Sequence, residues 1–143
     1  MKVWEALAKK NPMVTITPRE TLAGAIRHLV EARIRALPVV DGAKLVGIVT
    51  TLDILWNLDA RGASALEESV DKVMTRDVVT VDRDAALEDI ERTFVERGIG
   101  HIPVLEQGKL VGLLTPADVF GCHLDDVQWL HDNLHSYIYG GVR

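Results

Sequence analysis

The sequence predicts a mixed α+β fold: two β-α-β-β-α units packed as a pseudo-twofold pair, followed by a C-terminal helical extension. An internal repeat is the first observation behind this prediction, because residues 12–53 align without a gap on residues 77–118 at a constant offset of 65. Of the 42 aligned pairs, 15 are identical. A second observation is that hydrophobic periodicity changes in the same order within each copy.

Each copy is expected to begin with a short strand and an amphipathic helix. Residues 14–16 form a β-branched run that stops at Thr17-Pro18, which is typical of an edge strand because proline cannot donate to a ladder. The apolar residues that follow recur at helical spacing. They are Leu22, Ala25, Ile26, Leu29 and Val30 in the first copy, and Leu87, Ile90, Phe94 and Val95 in the second.

A hairpin and a second helix complete each copy. Residues 37–40 and 45–50 are apolar runs joined through Asp41-Gly42, a strong signal for a tight hairpin turn. Residues 106–109 occupy the same place in the second copy. After Thr50 and Thr115 the pattern becomes helical again, so the predicted order is strand, helix, strand, strand, helix.

The predicted domain boundaries follow from this pattern. The first unit spans residues 1–58, a polar linker rich in small residues spans 59–69, the second unit spans 70–121, and a helical tail spans 122–143. A unit of about 60 residues has a marginal core, so the two units are expected to pack on each other. The tail carries an apolar stripe that could fold back, form a dimer contact or dock on a partner, and folding back is the first expectation. Its residues are Val127, Leu130, Leu134, Tyr137 and Ile138.

Composition excludes some classes of partner. A net charge of −5 and a pI near 5.5 argue against a protein that coats nucleic acid or anionic lipid, so any anion site must be local. No apolar stretch reaches the ~20 residues of a membrane span, and the first residues do not resemble a signal peptide. The single Cys122 fits a reducing compartment, and a cytoplasmic location is expected.

The repeated motif identifies a family. In each copy a short strand and a helix are followed by (L/I)PV, then by K-L-V-G, and finally by T-x-x-D. This pattern resembles the CBS (cystathionine β-synthase) domain family and its paired Bateman arrangement, over residues 3–58 and 70–121. The resemblance implies that the clefts between the two halves bind AMP, ADP or ATP. S-Adenosylmethionine and NAD-type compounds are also compatible with it, because they share the same base and ribose.

The T-x-x-D segments offer a physical reason for such binding. Asp53 and Asp118 could each accept hydrogen bonds from both hydroxyls of a ribose cis-diol. Thr50 and Thr115 fall at a helix start, where a hydroxyl and unsatisfied N–H groups can meet a phosphate. The same pattern is also a helix capping box, with threonine as the N-cap and an acid three residues later. Capping and ligand contact do not exclude each other.

The resemblance also implies which residues surround the rest of the ligand. Around the Asp53 site they are Thr15, Ile16, Ile34, Arg35 and Ala36, and around the Asp118 site they are Thr80, Val81, Ile99, Gly100 and His101. Taken singly, the isoleucines and Val81 are expected to be ordinary strand or core residues. In related modules a basic residue before the PV strand of one unit reaches the phosphate bound by the other. That relation implies that His101 serves the Asp53 site and that Arg35, with Arg33 as a further candidate, serves the Asp118 site.

The two sites are therefore expected to differ. Arginine is always charged, whereas the charge of histidine changes near neutrality, so phosphate is expected to bind more tightly at the Asp118 site. Arg35 could equally be a solvated surface arginine.

The remaining signals are weaker. His131 and His135 share one predicted helical face but lack the other parts of a metal site, and an exposed pair is the default interpretation. No nucleophile with a base partner and no phosphate-binding glycine loop is found, which favours a non-enzyme. Two functions remain: a nucleotide-sensing homodimer that signals to a protein target, or an interaction scaffold whose clefts stay empty and which works through dimerisation and the C-terminal helix.

Overall fold

A computed structural model describes residues 2–8 and 12–121 of the chain. The predicted tail, with His131 and His135, lies outside the described residues. Five α-helices and five strands are described. In chain order they are α1 (Val3–Leu7), α2 (Leu22–Ala32), β1 (Ala36–Asp41), β2 (Lys44–Thr50), α3 (Thr51–Arg61), β3 (Val81–Asp82), α4 (Leu87–Arg97), β4 (Ile102–Glu106), β5 (Lys109–Leu114) and α5 (116–121).

Each unit contains a small sheet built around its central hairpin. Strand β1 pairs antiparallel with β2, and β4 pairs antiparallel with β5. The predicted edge strand is shorter than expected in the first copy, where Ile16 alone forms a parallel bridge to Val39. In the second copy it is the two-residue strand β3, parallel to β4. The predicted α+β order of elements is thus confirmed, with short first strands.

Both hairpins turn where the sequence indicates. Strands β1 and β2 are separated by Gly42 and Ala43, and Gly42 has a φ of +64°, a value that glycine adopts without steric cost. The second hairpin turns through Gln107 and Gly108, with φ values of +51° and +79°. Two successive residues with positive φ are typical of a type I′ turn, whose twist matches that of the flanking strands.

The amphipathic helices bury most of the predicted stripe. Leu22 and Leu29 of α2 belong to one core cluster, and Ile90 and Phe94 of α4 belong to the other. The last apolar residue of each stripe is exposed rather than buried. Val30 is 69% exposed, and its equivalent Val95 is 83% exposed. These two valines lie at the edge of the stripe, and no described element covers them.

The segments that precede the two copies are exchanged between the units. Helix α1 places Val3 and Ala6 in the core of the second unit, and the Val3 N–H donates to the Ala85 carbonyl at 3.1 Å. Val70 and Met74, which precede the second copy, lie in the core of the first unit. Each core is therefore completed by a segment from the neighbouring sequence repeat.

Two glycines of the repeated motif make this exchange possible. A Cβ on Gly112 would lie 2.5 Å from Leu7 Cδ2, and a Cβ on Gly47 would lie 2.6 Å from Met74 Sδ. Both distances are far shorter than a van der Waals contact. The glycines are therefore required because the exchanged segment packs directly on the strand backbone.

The connection between the units is helical rather than extended. Helix α3 continues to Arg61, and residues 62–67 form a 3-10 turn that buries Ala65. The chain then pairs with the first sheet, since Ile48 and Thr75 exchange backbone hydrogen bonds of 3.0 and 2.9 Å. Among the described helices, none is long and apolar enough to cross a membrane.

Candidate functional site

The start of α3 is a complete capping box. The Thr50 hydroxyl accepts a hydrogen bond from the Asp53 N–H at 3.2 Å, and Asp53 Oδ2 accepts one from the Thr50 N–H at 2.9 Å. The Thr51 N–H donates to the Arg35 carbonyl at 2.9 Å, which ties the helix start to the chain just before β1. The predicted capping role of Thr50 and Asp53 is present, and it fixes the orientation of the carboxylate.

The start of α5 repeats this box with one difference. The Asp118 N–H donates to the Thr115 hydroxyl at 3.3 Å, and Asp118 Oδ2 accepts from the Thr115 N–H and hydroxyl at 2.8 and 3.0 Å. Position 116 is proline, which has no N–H. The bond that Thr51 makes to Arg35 therefore has no counterpart between Pro116 and the Gly100 carbonyl.

The capping box occupies only part of each carboxylate. A carboxylate has two oxygens with about four acceptor positions, and the bonds given above fall on Oδ2. Within the described part of the chain, Asp53 Oδ1 accepts no hydrogen bond. An incoming ribose could therefore donate to Asp53 while the helix start stays capped.

A cavity of about 1120 Å³ lies between the two units. Ligand sites commonly have volumes of about 300–1,000 Å³, so the space is sufficient for a molecule of nucleotide size. The first unit contributes the turn after α2, and the second contributes the start of β4 and the start of α5. The predicted site residues that line it are Ile34, Arg35, Ala36, Gly100, His101 and Thr115.

The lining of this cavity is biased towards positive charge. Arg33 and Arg35 line it from the first unit and His101 from the second, while no aspartate or glutamate is among its described lining residues. The chain as a whole carries a net charge of −5. A local basic cleft on an acidic protein is the arrangement expected for a specific anion site.

Other predicted site residues lie outside this cavity. Ile16 is 2% exposed and packs in the first core, with its N–H and carbonyl bonded to Pro38 and Val40. Thr80 lines a separate cavity of about 250 Å³ beside the β1–β2 hairpin. The remaining ones are not among the lining residues of the large cavity: Thr15, Thr50, Asp53, Val81, Ile99 and Asp118. Of these, Val81 and Ile99 pack against the second core.

Several lining residues were not predicted for the site. Leu7 reaches the cavity because α1 is exchanged onto the second unit, and the only sequence signal for this is the glycine that receives it, Gly112. Pro116 and Ala117 adjoin Thr115 at the helix start. Met13 and Val14 line the cavity from the segment before the Ile16 bridge, and only Val14 of these two belonged to the predicted strand.

Comparison with known proteins gives a family match over most of the chain. The family described as CBS domain matches residues 5–60 and again residues 70–124. Protein MJ1225 of Methanocaldococcus jannaschii is 28% identical, and the match covers 85% of this chain and 49% of MJ1225. The chain thus spans about half the length of this curated relative. The MJ1225 crystal structure superposes with a TM-score of 0.78, covering 88% of this chain and 51% of that one.

Two further solved structures contain adenosyl ligands. The CBS domain pair of protein MJ0100, in complex with 5′-methylthioadenosine and S-adenosyl-L-methionine, is 25% identical with a TM-score of 0.78. The match covers 88% of this chain and 98% of MJ0100's. CBSX2 in complex with AMP is 28% identical with a TM-score of 0.74, and the match covers 87% of this chain and 96% of that one. Of these two relatives, MJ0100 thus binds sulfur-containing adenosyl compounds and CBSX2 binds a phosphorylated one.

Proposed function

The chain belongs to the CBS-domain family, and we propose that it is a regulatory module that binds an adenosine nucleotide of the AMP, ADP or ATP type between its two units. The observation that carries this proposal is the cavity of about 1120 Å³, which residues of both units line. Six of those residues are ones that the sequence predicts for the site. The adenosyl ligands of MJ0100 and CBSX2 support the same ligand class.

Within this proposal the two T-x-x-D segments hold the ribose and orient the phosphate. Asp53 and Asp118 accept hydrogen bonds from ribose hydroxyls while their capping bonds keep the carboxylates in place. Thr50 and Thr115 lie at helix starts, where partial positive charge favours a phosphate. Base contacts come from the chain on either side: Thr15, Ile16, Ile34 and Ala36 in the first unit, and Thr80, Val81, Ile99 and Gly100 in the second. Arg35 and His101 supply cations from opposite units.

The module acts by sensing rather than by catalysis. Proteins with CBS domains are generally regulatory, and the described site contains helix caps and cations rather than a nucleophile activated by a base. Ligand occupancy would be relayed to a protein target in the cytoplasm. The single cysteine, which fits a reducing compartment, supports that location.

A homodimer is part of the proposal because one helical face is apolar and exposed. Leu52, Leu55 and Trp56 lie on one side of α3, and Phe120 of α5 is the repeat equivalent of Leu55. Leu55, Trp56 and Phe120 are 59, 63 and 61% exposed. Exposed apolar side chains clustered on one face are typical of a protein interface, and a second copy would present the same face.

Ligand-induced thermal stabilisation tests the function. AMP, ADP, ATP, S-adenosylmethionine and NAD should be compared on the full chain, since a ligand at 100 times its dissociation constant adds ~2.7 kcal/mol to the free energy of unfolding. We expect stabilisation by at least one nucleotide of the AMP type. No shift with any of these compounds would contradict the proposal and favour the second function, an interaction scaffold with empty clefts that works through dimerisation and the C-terminal helix.

Substitution of the two aspartates tests the site. Asparagine keeps a carbonyl oxygen for the capping bond but replaces the other oxygen with a donor, so Asp53→Asn and Asp118→Asn should unfold near the wild-type temperature. Loss of charge-assisted bonds to a ribose should weaken AMP binding about tenfold. We expect the larger loss for Asp118→Asn, because Arg35 is paired with that site. Equal losses, measured by calorimetric titration, would refute the difference between the sites.

A further inference from the structure

Arg33 has a backbone conformation that its side chain does not favour. It ends α2 with φ 55° and ψ 44°, in the left-handed region. The equivalent residue at the end of α4 is Gly98, with φ 61° and ψ 33°. Glycine adopts this conformation at little cost and is the common residue after a helix, whereas any side chain with a Cβ is disfavoured there. The first copy therefore retains an arginine where the second copy has the residue that fits best.

The strain of Arg33 coincides with its place in the cleft. Arg33 lines the cavity between the units together with Arg35 and His101, and Gly98 is not among the lining residues. Unfavourable backbone conformations persist where the side chain has a functional use more often than elsewhere. Since a helix would end more favourably at a glycine, the guanidinium is the feature of Arg33 that remains to be explained.

Arg33 and Arg35 have no carboxylate partner among the described residues, unlike four of the other seven described arginines. Arg27, Arg61 and Arg83 each lie within 4.0 Å of a carboxylate, at Glu31, Glu68 and Glu106. Within the described ranges, no such ion pair involves Arg33 or Arg35, and no acidic residue is among those that line their cavity. Two permanent positive charges thus face a cleft without an internal counter-ion, which favours an anionic ligand.

We propose that Arg33 makes the cleft selective for phosphate-bearing adenosyl compounds over those that carry a sulfonium. This proposal rests on the proposed function and names the determinant of ligand choice within it. A phosphate ester carries close to two negative charges at neutral pH and matches the guanidinium fork. A sulfonium carries a fixed positive charge that Arg33 and Arg35 repel. Gly98 is uncharged at the equivalent position of the second unit. The charge that selects the ligand therefore comes from the first unit alone.

Three substitutions distinguish an effect of the Arg33 charge on binding from an effect of Arg33 on folding. Arg33→Gly removes the charge and relaxes the backbone, Arg33→Lys keeps a point charge, and Arg27→Ala removes an equivalent charge from α2 outside the cavity. The affinities of AMP, adenosine and S-adenosylmethionine should be measured by calorimetric titration on the full chain, and the unfolding temperature should be measured without ligand. Adenosine has the base and ribose of AMP without its phosphate, so the ratio of the two affinities isolates the phosphate contact.

We expect Arg33→Gly to unfold at the wild-type temperature or higher, because glycine fits the left-handed conformation. Its affinity for AMP should fall about tenfold while that for adenosine stays within about twofold, and its discrimination against S-adenosylmethionine should shrink. Arg33→Lys should retain an intermediate AMP affinity, and Arg27→Ala should match the wild type.

Other results would overturn the inference in distinguishable ways. If AMP binds the wild type but Arg33→Gly leaves the ratio of AMP to adenosine affinity unchanged, Arg33 does not select the phosphate and the proposed function stands. If Arg33→Gly lowers the unfolding temperature and weakens all three ligands equally, its role is structural. If neither AMP nor adenosine binds the wild type, the proposed function fails and the selectivity fails with it.

Discussion

At the scale of single residues, the glycines of the repeated motif illustrate what limits inference from sequence. Gly47 and Gly112 were predicted as parts of a strand motif, and their positions in β2 and β5 agree. Their physical role depends on Met74 and Leu7, which pack on them from segments far along the chain. Sequence shows that a side chain is missing at these positions. The structure shows which neighbour requires its absence.

Alanine substitutions should reveal this packing. Gly47→Ala should destabilise the fold by about 2–3 kcal/mol, because the added Cβ would meet the Thr75 carbonyl at 2.9 Å as well as the Met74 side chain. Gly112→Ala should cost less, about 1–2 kcal/mol, since its neighbour Leu7 is a side chain that can move. Chemical denaturation measures both values.

Gly100→Ala provides the control, because a Cβ there would meet no atom within 4 Å and the backbone φ is not positive. It should leave the free energy of unfolding within about 0.5 kcal/mol of the wild type. If Gly47→Ala were as neutral as Gly100→Ala, close packing of the exchanged segment would be wrong.

At the scale of elements, helices and hairpins were predictable and their partners were not. Apolar spacing specified α2 and α4, and Asp41-Gly42 specified the first hairpin, because both signals are local. The sequence assigned residues 3–7 to the first unit by position, yet α1 packs on the second core. Nothing local reports this exchange, because an apolar segment buries itself equally well against either of two similar cores.

The connection between the units contains an ion network that predicts a pH effect. Glu68 accepts from Lys72 and Arg61, both at 3.1 Å, and so ties the turn at residues 70–72 to the end of α3. The hydrogen bond from Lys72 is the main cause of a pKa of Glu68 below its ordinary value of 4.5, and the positive charges of Lys72 and Arg61 act in the same direction. A lowered folded-state pKa means that ionised Glu68 stabilises the fold.

Glu68→Gln should therefore lower the free energy of unfolding at pH 7, and the difference from the wild type should disappear as the pH falls below 4.5 and through the lower folded-state pKa. The effect should be small and sensitive to salt, because the partners are exposed. Denaturation curves across this pH range check it, with Glu67→Gln as the neighbouring control. A difference that does not change with pH would contradict the role of the ionised carboxylate.

At the scale of the whole molecule, the two like units form two unlike halves of one cleft. The repeat predicts that the units resemble each other. The different residues at the equivalent positions Arg33/Gly98, Arg35/Gly100 and Ala36/His101 predict that their sites differ. Six predicted site residues line the cavity, but other lining residues, such as Leu7 and Met13, could not be predicted because their place depends on how the units pack. Residues 34–36 and 100–101 both line it, whereas Asp53 and Asp118 cap the starts of α3 and α5 and are not among its lining residues.

Self-association should depend on the exposed face of α3 and α5. Leu55→Glu combined with Trp56→Glu should shift a dimer towards monomer, because burying two carboxylates in an apolar interface is costly. Sedimentation velocity measures the shift. Val95→Glu is the matched control, since Val95 is 83% exposed and belongs to α4 rather than to α3 or α5. Loss of the dimer in Val95→Glu alone would place the interface elsewhere.

The most direct test of the central claim is a crystal structure of the full chain with AMP. We expect AMP in the cleft between the units, with its ribose hydroxyls on Asp118 or Asp53 and its phosphate within hydrogen-bond distance of Arg33 or Arg35. AMP bound away from that cleft, or crystals that remain without AMP at saturating concentration, would contradict it.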